Sequence, residues 1–170
     1  SDCYNVILTH SYFLTGTEGN KGGVSCNYTE IPDEEEVTSY FQGNTFRFTN
    51  STSPALKVIS TAAATIPLFI DYNSFTSEES SSFQAMMFSN IYGGSITNNT
   101  ITNYQSGIQL LSSSADIYGN TISSDVENST GISAIMSTVN ETMNGSYFLG
   151  GYNNISTSNS LSPCMTVRIS

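Results

Sequence analysis

Basic side chains are almost missing from this chain. Its 170 residues include four, Lys21, Arg47, Lys57 and Arg168, against fourteen acidic ones, and the net charge is −10. A surface that grips nucleic acid must neutralise phosphates, and four scattered cations cannot build one. Anionic membranes and polyanionic sugars are disfavoured for the same reason. The single His, His10, excludes His-rich metal sites and reads as a loop or surface residue. No apolar run is long enough to span a bilayer. A secretory signal is not visible, and Ser1-Asp2-Cys3 is the start expected of a mature chain after cleavage. Charged residues make up only 11%, and Ser, Thr and Asn take their place. With strong helix formers scarce and Ile, Tyr and Phe common, strands and turns are favoured.

What is present is a repeat. Asn recurs in one local setting at Asn5, Asn44, Asn73, Asn99, Asn120 and Asn153, each followed two residues on by an apolar side chain. The intervals are roughly 20 to 40 residues, the range of solenoid coils. Aligning the segments on the Asn gives three columns of short strands. The first follows the Asn (Val6–Thr9, Thr45–Phe48, Ser74–Thr76, Thr100–Thr102, Thr121–Ser123). The second is aliphatic (Ala55–Ser60, Gln84–Ser89, Gly107–Ser112, Gly131–Ser137, Met165–Ser170). The third leads into the next Asn (Ile66–Ile70, Gly94–Thr97, Ala115–Tyr118, Ser146–Leu149). Alternation sends Ile101, Ile108, Leu110 and Ile117 inward and Thr100 and Gln109 outward. One of Met86 and Met87 packs in the core. Asn tolerates unusual backbone angles at a corner, and stacked amides can bond as a ladder.

The fold expected is therefore all-β: a single domain over 1–170, a right-handed parallel β-helix of about six coils with three short strands each. Residues 1–43 form a less regular first coil. An antiparallel β-sandwich is the alternative. Loop excursions are expected at Thr15–Gly22, Glu30–Val37, Ser77–Ser82 and Val139–Asn144. The Gly pairs 22–23, 93–94 and 150–151 are expected at tight corners.

Asn99-Thr100-Ile101, Gly107-Ile108-Gln109-Leu110 and Ile117-Tyr118-Gly119-Asn120-Thr121-Ile122 resemble the coil repeat of the pectin-lyase-like superfamily of right-handed parallel β-helices. Phe88-Ser89-Asn90-Ile91-Tyr92-Gly93-Gly94-Ser95-Ile96 is faintly similar to the repeats of polymorphic outer-membrane and adhesin proteins. The superfamily resemblance implies polysaccharide lyases, glycosidases, tailspikes, adhesins or structural proteins, so fold alone leaves function open. Lyase-like members would need acidic Ca²⁺ ligands and a basic residue near the sugar. Arg47 and Lys57 are the basic pair on neighbouring strands, with no Asp cluster at matching positions. Glycosidase-like members would need paired carboxylates, and their Asn-Thr-Asp, Asp-Asp and Gly-His-Gly signatures do not occur. Asp71, Asp116, Asp125 and Glu127 are the carboxylates that could meet across coils, and Asp33-Glu34-Glu35-Glu36 reads as a solvated acidic loop rather than a Ca²⁺ site. The expectation is no catalytic constellation, no cofactor and no metal.

Acceptor sequons for N-glycans stand at Asn27, Asn50, Asn98, Asn128, Asn140, Asn144 and Asn154, as in a secreted, glycosylated surface protein. Cys3 and Cys26 could close within the first coil. Cys164 belongs some 20 Å away at the other end of the stack, where a thiol left over suggests a partner in another copy. Val167-Arg168-Ile169 is expected as an uncapped strand at one end and Tyr4–Thr9 at the other. Two uncapped, complementary edges invite head-to-tail association with copies of the same chain. The function expected is an extracellular filament or surface-layer subunit. A carbohydrate-active enzyme and an adhesin or tailspike-like module are the alternatives.

Overall fold

The computed structural model describes residues 6–15, 23–29, 38–49, 53–61, 65–136, 150–151, 153–157 and 165–169. These residues contain no helix. Sheet one has six strands, in the order β1 (Ile7–Thr9), β4 (Ser39–Gln42), β7 (Thr65–Asp71), β9 (Tyr92–Thr97), β11 (Ser114–Tyr118) and β14 (Gly150–Gly151). Sheet two has ten. One path runs through β15 (Asn154–Thr157), β12 (Thr121–Ser124), β10 (Thr100–Leu111), β8 (Ser74–Ser89), β5 (Thr45–Phe48) and β2 (Tyr12–Thr15). The others are β3 (Val24–Tyr28), β6 (Leu56–Ser60), β13 (Thr130–Met136) and β16 (Met165–Ile169), joined through β8 and β10. Every strand pair among the described residues is parallel. That overturns the antiparallel sandwich and is compatible with a parallel β-helix.

Period-two alternation builds the core. In sheet two, Phe46, Phe75, Ile101 and Ile122 follow one another inward across β5, β8, β10 and β12, all buried. A second inward row runs Cys26, Val58, Phe88, Leu110 and Ala134. Sheet one contributes Phe41, Ile70, Ile96 and Ile117. Leu8, Phe13 and Val24 in the first row of strands are only half-buried; among the described residues they have a neighbouring row on one side alone.

Four expectations change. Three separate short strands per coil give way to two sheets, because β8 and β10 each run unbroken through two columns. The first half of β10 pairs β12 and the second half pairs β13. Its own bend falls at the register shifts between Thr102 and Ser106. Second, Ser77–Ser82 is not a loop excursion but lies inside β8. Ser77 and Ser81 are fully buried there, since a small hydroxyl fits the inside of the bend. Third, Gly93-Gly94 lies within β9 rather than at a corner. Gly94 pairs Leu68 with φ +87°, and a Cβ would sit 2.1 Å from the Leu68 carbonyl oxygen, so only glycine permits this close approach. Gly150-Gly151 likewise forms β14.

The fourth change is one of register. Ile7–Thr9 pairs Tyr40–Gln42 in sheet one, not the Thr45–Phe48 column. It is Tyr12–Thr15 that pairs Thr45–Phe48. The excursions expected within 16–22, 30–37 and 139–144 lie outside the described residues, as do Asn5 and the acidic run 33–36.

Candidate functional site

Sheet one hands the chain to sheet two at a corner with a fixed recipe. The residue before the corner takes a left-handed conformation: His10, Gly43, Tyr72, Asn98 and Gly119 have φ between 49° and 68°. The next residue is Ser11, Asn44, Asn73, Asn99 or Asn120, and Asn153 is the last rung among the described residues. The side chains of Asn73, Asn99 and Asn120 are buried and use their full capacity. Asn99 Nδ2 donates to Asn120 Oδ1 at 3.0 Å and to the Ile70 carbonyl at 3.0 Å. Its Oδ1 accepts from Asn73 N and from Asn73 Nδ2, both at 2.9 Å. Asn73 and Asn120 repeat the pattern. Two donors and two acceptor positions are what an amide offers, and no other side chain of this size bridges the rows on both sides.

The ladder has a direction. Each rung's N–H and Nδ2 donate to the Oδ1 of the rung that follows in sequence. Ser11 occupies the first rung: its N–H donates to Asn44 Oδ1 at 3.0 Å, and its carbonyl accepts from Thr45 N. Reading along the chain for Asn alone misses it. The signal was present, since Ser11-Tyr12-Phe13 has the spacing of Asn44-Thr45-Phe46 and Asn73-Ser74-Phe75. At the far end, Asn153 Nδ2 donates back to the Ile117 carbonyl at 2.9 Å. Its N–H and second amide hydrogen meet no acceptor among the described residues.

The carboxylates do not converge. Asp71 accepts from Thr97 Oγ1 at 2.7 Å and Asn98 Nδ2 at 3.0 Å, a local tie between adjacent rows. Asp116, Asp125 and Glu127 are exposed. No group of three His, Cys, Asp or Glu side chains among the described residues could hold a metal ion. Arg47 pairs with Glu78, its Nε 2.8 Å from Oε1, on the solvent side of sheet two, and Lys57 is half-exposed on β6. A cavity lined by Leu68, Phe88, Ile91, Ile96 and Leu110, with Gly93, Ser113, Ser114 and Ala115, contains no titratable group. His10 is exposed, its ring against Gly43. Comparison with protein-family models, curated proteins and solved structures finds no match.

Of the sequon residues, Asn27, Asn98, Asn128 and Asn154 are exposed, whereas Asn50, Asn140 and Asn144 lie outside the described residues. Cys3 and Cys164 also lie outside them. Cys26 is buried and level with Val58, Phe88, Leu110, Ala134 and Val167.

One buried feature has no counterpart in the sequence reading. The hydroxyls of Tyr104, Ser106 and Ser129 are buried without a hydrogen-bond partner. Ser106 pairs Thr130, the neighbour of Ser129, and stands two residues from Tyr104, so Tyr104 and Ser106 lie at the bend of β10 and Ser129 in the row beside it. Desolvation pushes the Tyr104 phenol well above its usual 10. A raised folded-state pKa means stability present below the unfolded value near 10 and lost as pH rises past it. Tyr104→Phe removes the orphan hydroxyl and keeps the ring. Urea titrations should show it neutral or up to about 1 kcal/mol stabilising at pH 7, with a shallower alkaline loss above pH ~10. A variant more than about 1 kcal/mol less stable at pH 7 would mean the hydroxyl has a partner.

Proposed function

We propose that the protein is a parallel β-helix and acts as a structural subunit that associates end to end, in an extracellular filament or surface layer. The observation that carries this is the first row of strands. β1 and β2 are edge strands, and they expose Ile7 at 73%, Tyr12 at 77% and Leu14 at 67%. Edge strands with apolar side chains are usually blunted by charge, proline or a covering segment because they recruit further strands. The described part of this edge carries no acidic or basic side chain except His10. Exposed sequons at Asn27, Asn98, Asn128 and Asn154 support a glycosylated, extracellular setting, and the scattered carboxylates argue for structure over catalysis.

The test is association. Negative-stain electron microscopy and light scattering across a concentration series should give linear assemblies whose mean mass grows with concentration. A monomeric mass at every concentration, with no elongated particles, overturns the reading.

A further inference from the structure

The geometry points to one register for the end-to-end contact: Asn153 of one copy meets Ser11 of the next, extending the amide ladder across the junction. This rests on the filament reading and adds to it which atoms meet. The ladder's polarity makes the two ends different. Asn153 offers an N–H and an amide hydrogen, both donors, in the direction of a following rung. Ser11 stands first in the column with its N–H already given to Asn44. Two Asn153 ends would face donors with donors, so the complement of this end is the opposite end of a second copy. Such a heterologous contact does not close on itself.

Ser11 is built to accept. Its Oγ donates to the carbonyl two residues back, Thr9, at 3.1 Å. Ser113 does the same at the next corner, donating to the Leu111 carbonyl at 2.8 Å, and there its Oγ also accepts the Ile91 N–H from the preceding row at 3.1 Å. Ser39 accepts the Val6 N–H in the same way at 3.1 Å. Ser11 Oγ has the first of these bonds and lacks the second, and in the stacked register the Asn153 N–H supplies it. The apolar row agrees. Phe13 and Ile155 occupy the same inward row at opposite ends, and both are half-buried.

Disulfide trapping tests the register directly. Tyr12 and Asn154 belong to one outward row, through Thr45, Ser74, Thr100 and Thr121. In the proposed junction they sit on adjacent strands about 4.8 Å apart, inside disulfide reach. The double variant Tyr12→Cys/Asn154→Cys should give a ladder of covalent multimers on non-reducing gels. The control Leu14→Cys/Asn154→Cys is two residues out of register, about 7 Å further along the strand, and should match the single-Cys variants. Ser11→Ala should weaken association about two- to tenfold, the range of one hydrogen bond, and Ser11→Asn should strengthen it. Copies that associate but crosslink through the Leu14 pair, or through neither pair, overturn the register alone. Monomers in every variant and in the parent overturn the filament reading and the register together.

Discussion

Asn99→Ala should cost about 3–5 kcal/mol, because it strips a buried rung and strands the groups on either side. The Asn73 N–H and one Asn73 amide hydrogen lose their acceptor, and the Ile70 carbonyl and Asn120 Oδ1 each lose a donor. Each buried group left unpaired costs about 1–3 kcal/mol, and relaxation around the smaller side chain recovers part of the sum. For a chain of this size the midpoint of thermal unfolding should fall by roughly 10 °C. Two companions sharpen the test. Asn99→Ser keeps a short acceptor, as Ser11 and Ser113 do, and should recover part of the loss. Asn99→Asp keeps both acceptor positions but turns a carboxylate on Asn120 Oδ1 and the Ile70 carbonyl. Burial and those oxygens favour its protonated form, which can donate. Its folded pKa is therefore raised, so its stability is greatest below the unfolded value near 3.9 and is lost as pH rises. A loss under about 1 kcal/mol for Asn99→Ala, by urea unfolding, would show the ladder to be ornamental to stability.

The ladder was legible in sequence because its requirement is narrow. An amide with two donors and two acceptor positions must recur at a left-handed corner, so the same residue type returns in the same setting. Asn44, Asn73, Asn99, Asn120 and Asn153 carry that mark, and the inward residues Ile101, Ile108, Leu110 and Ile117 follow from counting two by two. The first row was misread for a matching reason. Ile7–Thr9 joins sheet one, and the register of the ladder column falls instead to Ser11, which lacks the amide. Among the described residues no row stands before Ser11, and a hydroxyl takes the place of the amide there.

The bends in β8 and β10 were illegible for a different cause. Ser77, Ser81 and Ser106 look like loop residues by composition, yet they are buried inside long strands. Small hydroxyls suit both a turn and the concave side of a bent strand, and only the neighbouring rows decide between them. The orphan hydroxyls at Tyr104, Ser106 and Ser129 are invisible for the same reason. Partnering is a property of three rows together, and no single segment encodes it.

Phe46→Ala should cost about 3–5 kcal/mol, as a fully buried ring truncated in a packed row. The Phe46 ring is sandwiched, its centroid 4.7 Å from Phe13 and 4.6 Å from Phe75, with interplanar angles of 10° and 6°. Both neighbours lose a face, and the space cannot collapse without bending β5 away from β2 and β8, to which it is bonded. Phe46→Ile separates shape from stacking. Ile already fills this inward place at Ile101 and Ile122, so the volume is tolerated, and the remaining loss should be about 1–2 kcal/mol from missing methylene contacts and ring stacking. Phe13→Ala should cost about half as much as Phe46→Ala, since Phe13 is half-buried with one stacked neighbour and transfer energy scales with the area withdrawn from water. These three values should order as Phe46→Ala, Phe13→Ala, Phe46→Ile in dilute solution. If copies stack through the first row, the penalty at Phe13 should grow with protein concentration, because association covers its outer face. The penalty at Phe46 should not, since its two faces are covered within one chain. Equal concentration dependence at both positions, measured by urea unfolding at several protein concentrations, would contradict a junction at the Phe13 end.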